Sequence, residues 1–141
     1  MKSHLQWKQG FQSTVDNGRS HEVTLDLPPA KNGSDTGPTA LELTAMSLNG
    51  CIGTIFAVIA SKSHLEFTDL RVELEADKSD SDPTFTAVTA HVHVTTDAKE
   101  QKVQRVLDKT MDNCPVGVLF RNADVEMKIN LKVHHPEEMA M

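Results

Sequence analysis

Basic residues are in deficit: 14 Lys and Arg stand against 20 Asp and Glu, for a net charge of -6. With no basic block to concentrate the positive charge, nucleic acid is excluded as the main partner, because such binding rests on neutralising phosphates. Cysteine is scarce as well, at two residues. A chain of 141 residues buries roughly two-thirds of its unfolded surface and needs no disulfide struts. The opening MKSHLQWKQG lacks the apolar run of a secretory signal, so the cytoplasm is the expected compartment and a lasting structural disulfide is not expected. Internal repeats and low-complexity tracts are also missing. Gly33 and Gly37 form no phosphate-binding pattern, since no strand leads directly into a Gly-rich turn and helix. The acidic DKSDSDP segment has too few regularly placed oxygens for a calcium loop.

What is present is patterned. Leu5, Trp7, Phe11 and Val15 share odd positions, and Val23, Leu25 and Leu27 repeat that parity after Asp16-Asn17-Gly18-Arg19. This predicts a strand over 5–15, a tight turn in which Asn17-Gly18 supplies positive φ, and an antiparallel partner stopped by Pro28 and Pro29. Residues 30–38 are loop chemistry. Thr39-Ala40-Leu41-Glu42 predicts a capping box, opening a helix that runs to about Ser61. Its apolar residues point in every direction, so burial on all sides is expected. Residues 43–60 are uncharged and reach the minimum length of a membrane span, but Thr44, Ser47, Asn49, Gly50, Gly53 and Thr54 dilute them. A buried helix in a sheet-rich domain accounts for the same pattern.

Alternation predicts further strands over 70–76 and 88–94, helical spacing predicts an amphipathic helix over 97–111 behind an Asp97-x-x-Glu100 cap, and Val116 to Phe120 reads as a further helical turn. A final strand spans 125–133. The expectation is one α+β domain, 1–141, comprising a hairpin and loop at 1–37, a helix and sheet core at 38–135 and a tail at 136–141.

The two cysteines sit in telling contexts. Cys51 lies mid-way along the apolar helix between Asn49-Gly50 and Ile52-Gly53, where it reads as a small core residue. Each glycine costs the helix about 1 kcal/mol relative to alanine, which predicts a close approach to the backbone there by a packed strand or a substrate. Cys114 precedes Pro115, which is favoured at the first helical position, so Cys114 falls at an N-cap. Unpaired amides and the positive helix end there favour a thiolate; a cysteine standing in for Ser or Asp as a cap explains the same placement.

The run from Gly37-Pro38-Thr39 through Asn49-Gly50-Cys51, together with Cys114-Pro115-Val116, resembles the two cysteine motifs of the OsmC/Ohr superfamily. The hairpin, the long helix, the strand at 70–76, the Asp82-Pro83-Thr84-Phe85 entry, the second helix and the last strand follow the family's order, so the likeness covers nearly the whole chain. It implies an OsmC-like α+β fold with antiparallel sheets around a long buried central helix, in an intertwined homodimer with active sites at the subunit interface. It also implies a thiol-dependent peroxidase that reduces organic hydroperoxides and, less well, hydrogen peroxide. Cys51 becomes the peroxidatic cysteine and Cys114 the resolving one. No resident cofactor or metal is implied, only an external dithiol reductant, protein or small molecule. Arg19 and Glu42 match an Arg and a Glu that the family uses to hold the thiolate and orient the peroxide. Nine residues of straight helix put Glu42 roughly 13 Å and half a turn from Cys51 of its own helix, so it acts across a dimer interface or a bend, or only as a cap. The organic-hydroperoxide branch carries that Glu directly after Asn-Pro, ten residues before the cysteine; Leu41 occupies the place here, which leans toward the broader OsmC-like branch.

His91 and His93 share a strand face and His134-His135 follows the last strand, but no further ligand completes a metal spacing. Exposed strand histidines and a mobile tail account for them. The rival to the peroxidase is a non-enzymatic module that binds a small apolar ligand or lipid between buried helices, with both cysteines as core residues. The apolar helix itself lacks enough cover within one chain, which points to a second copy.

Overall fold

The computed structural model describes residues 1–139; residues 140–141, the end of the expected tail, lie outside the described residues. The chain divides into two compact units, Met1–Thr44 and the residues from Ala45 onward.

The first unit is an antiparallel sheet of β1 (His4–Gln9), β2 (Gln12–Asp16) and β3 (Glu22–Leu25), in that order. The strand expected over 5–15 is therefore two strands, reversed at Gly10-Phe11, where Gly10 takes φ +51°. Alternation could not reveal the reversal. Leu5 pairs with Val15, which pairs with Val23, so residues of the same parity stay on one face through both turns. The second turn is a five-residue loop, 17–21, rather than a tight one. Only Gly18 takes positive φ there, at +76°, and Asn17 shapes the loop instead through Oδ1, which accepts from the amides of Arg19 and His21. Asp26, unremarked in the sequence, is the buried anchor of the following segment. Its carboxylate accepts from the Leu27 amide and from the amide and hydroxyl of Thr36, and the Thr36 hydroxyl above all holds its pKa below the usual range. Gly37 lies so close to β3 that a Cβ would overlap the Thr24 carbonyl.

Helix α1 (Ala40–Lys62) starts with the capping box intact: the Glu42 amide donates to Thr39 Oγ1 at 3.0 Å and the Thr39 amide to Glu42 Oε1 at 2.9 Å. The helix is not buried all round. Leu48, Ile52, Phe56 and Ala60 form one buried stripe, whereas Met46 and Val58 are 55% and 44% exposed. It is long and apolar enough to cross a membrane by length and composition alone. A Cβ at Gly50 or Gly53 would meet nothing within 4 Å, so the close approach expected beside Cys51 does not occur among the described residues. His64, at φ +55°, ends the helix as the Leu65 amide bonds back to the Ala60 carbonyl.

The second unit packs the buried stripe of α1 against a sheet of β4 (Asp69–Asp77), β5 (Ala87–Thr95) and β6 (Glu126–His134), with β5 central. β4 is antiparallel to β5, but β6 runs parallel to it, so the sheet is mixed and not antiparallel throughout. The crossover is α2 (Glu100–Asn113) and α3 (Pro115–Asn122), as a parallel connection requires. Val88, Ala90, Val92 and Val94 meet Val103, Val106 and Leu107 in the core. α2 begins later than expected, without the Asp97 cap: its N-cap is Lys99, with no side-chain bond. Thr96 Oγ1 controls this turn, accepting from the Ala98 amide and donating to the Glu66 carbonyl. The tail expected from 136 opens with a short α4 (Pro136–Met139).

Phe56 is fully buried and meets Phe67 edge to face at 6.0 Å. Phe56→Ala should lower the unfolding free energy by about 3–5 kcal/mol in urea titration. Thr39→Ala removes a surface cap and should cost about 1 kcal/mol in the same measurement; equal costs for the two would contradict this division of core and cap.

Candidate functional site

Cys51 stands on α1 one residue before the buried Ile52, and it is half-buried beside the stripe. Asn49, two residues earlier, donates from Nδ2 to the Val72 carbonyl of β4 at 3.2 Å, which ties this stretch of helix to the sheet. Cys114 is the single residue between α2 and α3 and is fully buried. As the sequence predicts, it is the N-cap of α3 with Pro115 following, and Sγ accepts from the Gly117 amide at 3.3 Å. Gly117 leaves room for this, since a Cβ there would lie 3.3 Å from the thiol sulfur.

These placements bring the two sulfurs, 63 residues apart in sequence, to 2.9 Å, with the Cys114 thiol donating to Cys51 Sγ. Both are free thiols. A disulfide needs the atoms only about 0.9 Å closer, at ~2.05 Å.

The expectation that the helix end turns Cys114 toward a thiolate is not met. Burial pushes its pKa up from 9.0 to about 11, the bond it donates to Cys51 adds to the rise, and the Gly117 amide pulls the other way without prevailing. A capping amide favours charge on sulfur, but removing a thiolate from water costs more.

Arg19 and Glu42 belong to the first unit. Arg19 lies in the exposed loop at 17–21, and among the described residues its guanidinium makes no ion pair. Glu42 is exposed and engaged in the capping box. The histidines depart from the expectation of an exposed, mobile set. His93 Nδ1 and His134 Nε2 are hydrogen-bonded at 3.1 Å, His135 Nδ1 bonds to the Thr96 carbonyl, and all three are half-buried, leaving only His91 of the four exposed. Partial burial, then the nearby Arg71, lowers the His93 pKa. No group of three potential metal ligands occurs among the described residues. A cavity of about 840 Å³, lined by Ala57, Leu65, Glu66, Phe67 and Asp97 among others, includes neither cysteine.

The raised Cys114 pKa has a stability consequence of definite sign. The unfolded chain releases this proton near 9.0 and the folded protein only near 11, so the stabilisation is complete below the first value and is lost as pH climbs toward the second. Denaturant unfolding should show a steeper alkaline loss for the wild type than for Cys114→Ser. Parallel pH curves would contradict the assignment.

The comparisons with known proteins agree with this architecture. A family model described as OsmC-like protein matches residues 33–130. No curated protein matches the chain. Among solved structures, an OsmC-like protein from Mycoplasma pneumoniae superposes with a TM-score of 0.79 at 15% identity, covering 95% of this chain and 95% of that one. The organic hydroperoxide resistance protein OhrB of Bacillus subtilis gives 0.63 at 20% identity, covering 94% and 98%. An organic hydroperoxide resistance protein OsmC from Legionella pneumophila gives 0.68 at 16% identity, covering 95% and 97%. At such identities the structures speak for a shared fold; with the family model spanning more than half of the sequence, the chain belongs to the OsmC-like protein family.

Proposed function

We propose that this protein is a cysteine-based peroxidase that reduces organic hydroperoxides, and hydrogen peroxide, through Cys51 and Cys114. The observation that carries the reading is the 2.9 Å separation of the two free sulfurs, with Cys114 as donor. Cys51 is the less buried of the two, which suits it to the attacking role. A Cβ at Gly50 or Gly53 would meet nothing within 4 Å among the described residues, so the face of α1 that carries them is uncovered.

In the first step the Cys51 thiolate attacks a peroxide oxygen. An S–O bond forms, the O–O bond breaks, and the alkoxide leaves and takes from water the proton that Cys51 released on ionising, so sulfur is oxidised to a sulfenic acid and the peroxide is reduced to an alcohol. Cys114 then attacks Cys51 Sγ. The S–S bond forms, the S–O bond breaks, and the Cys114 proton leaves with the oxygen as water. Burial keeps that proton on Cys114 until this step. An external dithiol returns both cysteines to thiols by exchange, and its two electrons balance those given to the peroxide.

Arg19 and Glu42 are given supporting roles by analogy with the family. A cation beside a thiolate stabilises it, which suits Arg19. Glu42 would orient the peroxide across a homodimer interface. A second copy of the chain is itself supported by the uncovered apolar groups: Met46 and Val58 on α1, and Leu5, Trp7 and Phe11 in the first unit, which are 64%, 60% and 56% exposed. The reading places the protein in the cytoplasm, where dithiol reductants are maintained.

With dithiothreitol as reductant, the wild type should consume cumene or tert-butyl hydroperoxide. Cys51→Ser should fall to the uncatalysed rate, and Cys114→Ser should still form a sulfenic acid that dimedone traps. Wild type and Cys51→Ser equally inactive with both peroxides would sink the peroxidase and leave the ligand-binding module standing.

A further inference from the structure

Cys114 is at once the C-cap of α2 and the N-cap of α3, with an extended backbone at φ -73° and ψ 107°. A small rotation at this elbow swings the thiol relative to Cys51. The two helices are anchored separately, α2 by Val103, Val106 and Leu107 in the core and α3 by Phe120, whose ring stacks on Phe85 at 6.5 Å. A side-chain hydrogen bond spans the junction. Arg121, on α3, donates from Nη2 to the Met111 carbonyl of α2 at 2.9 Å. That carbonyl lies in the last turn, where a helix leaves acceptors without internal partners and presents its negative end. Asn113 also caps this end, donating to the Lys109 carbonyl at 2.7 Å, but that bond stays within α2.

We propose that Arg121 is a positioning residue that locks the elbow between α2 and α3 and so holds Cys114 at bonding distance from Cys51. The role rests on the reading of Cys51 and Cys114 as a redox pair. It concerns the closing of their disulfide and does not require that a peroxide be the oxidant.

A redox titration with dithiothreitol tests it. The Cys51 thiolate attacks a sulfur of the oxidised reagent to give a mixed disulfide. Cys114 then attacks Cys51 Sγ, forming the protein disulfide and releasing reduced dithiothreitol, so two electrons and two protons pass from the cysteines to the reagent. A firmly held elbow raises the effective concentration of Cys114 and shifts this equilibrium toward the disulfide. Arg121→Met should shift it toward the dithiol by about fivefold to tenfold, raising the potential by at most ~30 mV. Arg121→Lys should recover part of the loss, since an ammonium still donates to one carbonyl. Asn113→Ala should lower Tm yet leave the equilibrium within about twofold of the wild type.

An Arg121→Met potential equal to that of the wild type, or an equal shift in Asn113→Ala, overturns the positioning role while the redox pair stands. A wild type that forms no Cys51–Cys114 disulfide at any dithiothreitol ratio overturns the pair and this role with it.

Discussion

A thiol removed from water, yet in hydrogen-bonding contact with a second sulfur, is the constraint around which the second unit is organised. Cys114 is fully buried at the only break between α2 and α3. Its proton is retained well past neutral pH, chiefly through burial. On the proposed reading it is the reserve rather than the first nucleophile, and the half-buried Cys51 is the more accessible of the two sulfurs. Such a division of labour needs two helices brought to one point with little freedom. The Asn49 bond to β4 steadies α1 near Cys51, and Phe120 against Phe85 anchors α3.

The long helix presents the opposite problem, apolar surface in excess of what the chain covers. One stripe of α1 meets the sheet and α2, and Met46 and Val58 remain exposed. Exposed apolar surface of this kind is a mark of interaction faces. Gly50 and Gly53, costly in a helix, meet no close neighbour among the described residues and leave one face of α1 narrow. On the proposed reading a second copy would cover the exposed apolar residues of the helix that carries Cys51.

Local chemistry was legible in the sequence where a short motif decides it. The Thr39 and Glu42 box and the Cys114-Pro115 cap both formed as read. Readings failed where a competing group or distant packing decides. Same-parity pairing of Leu5, Val15 and Val23 hid the reversal at Gly10-Phe11. The parallel partner of β5 was hidden because β6 alternates like an antiparallel strand, with Lys128 and Lys132 exposed. Thr96 displaced Asp97 from control of the α2 entry, and burial outweighed the helix end at Cys114. Arg121 had no sequence signal, because its role exists only once α2 and α3 are placed.

Mass spectrometry of the intact and digested protein after one equivalent of organic hydroperoxide decides whether the two cysteines act as a redox pair. The wild type should carry a Cys51–Cys114 disulfide, reversed by dithiothreitol, and Cys114→Ser a Cys51 sulfenic acid in its place. Two unmodified thiols in the wild type, or oxidation that begins at Cys114, would contradict this.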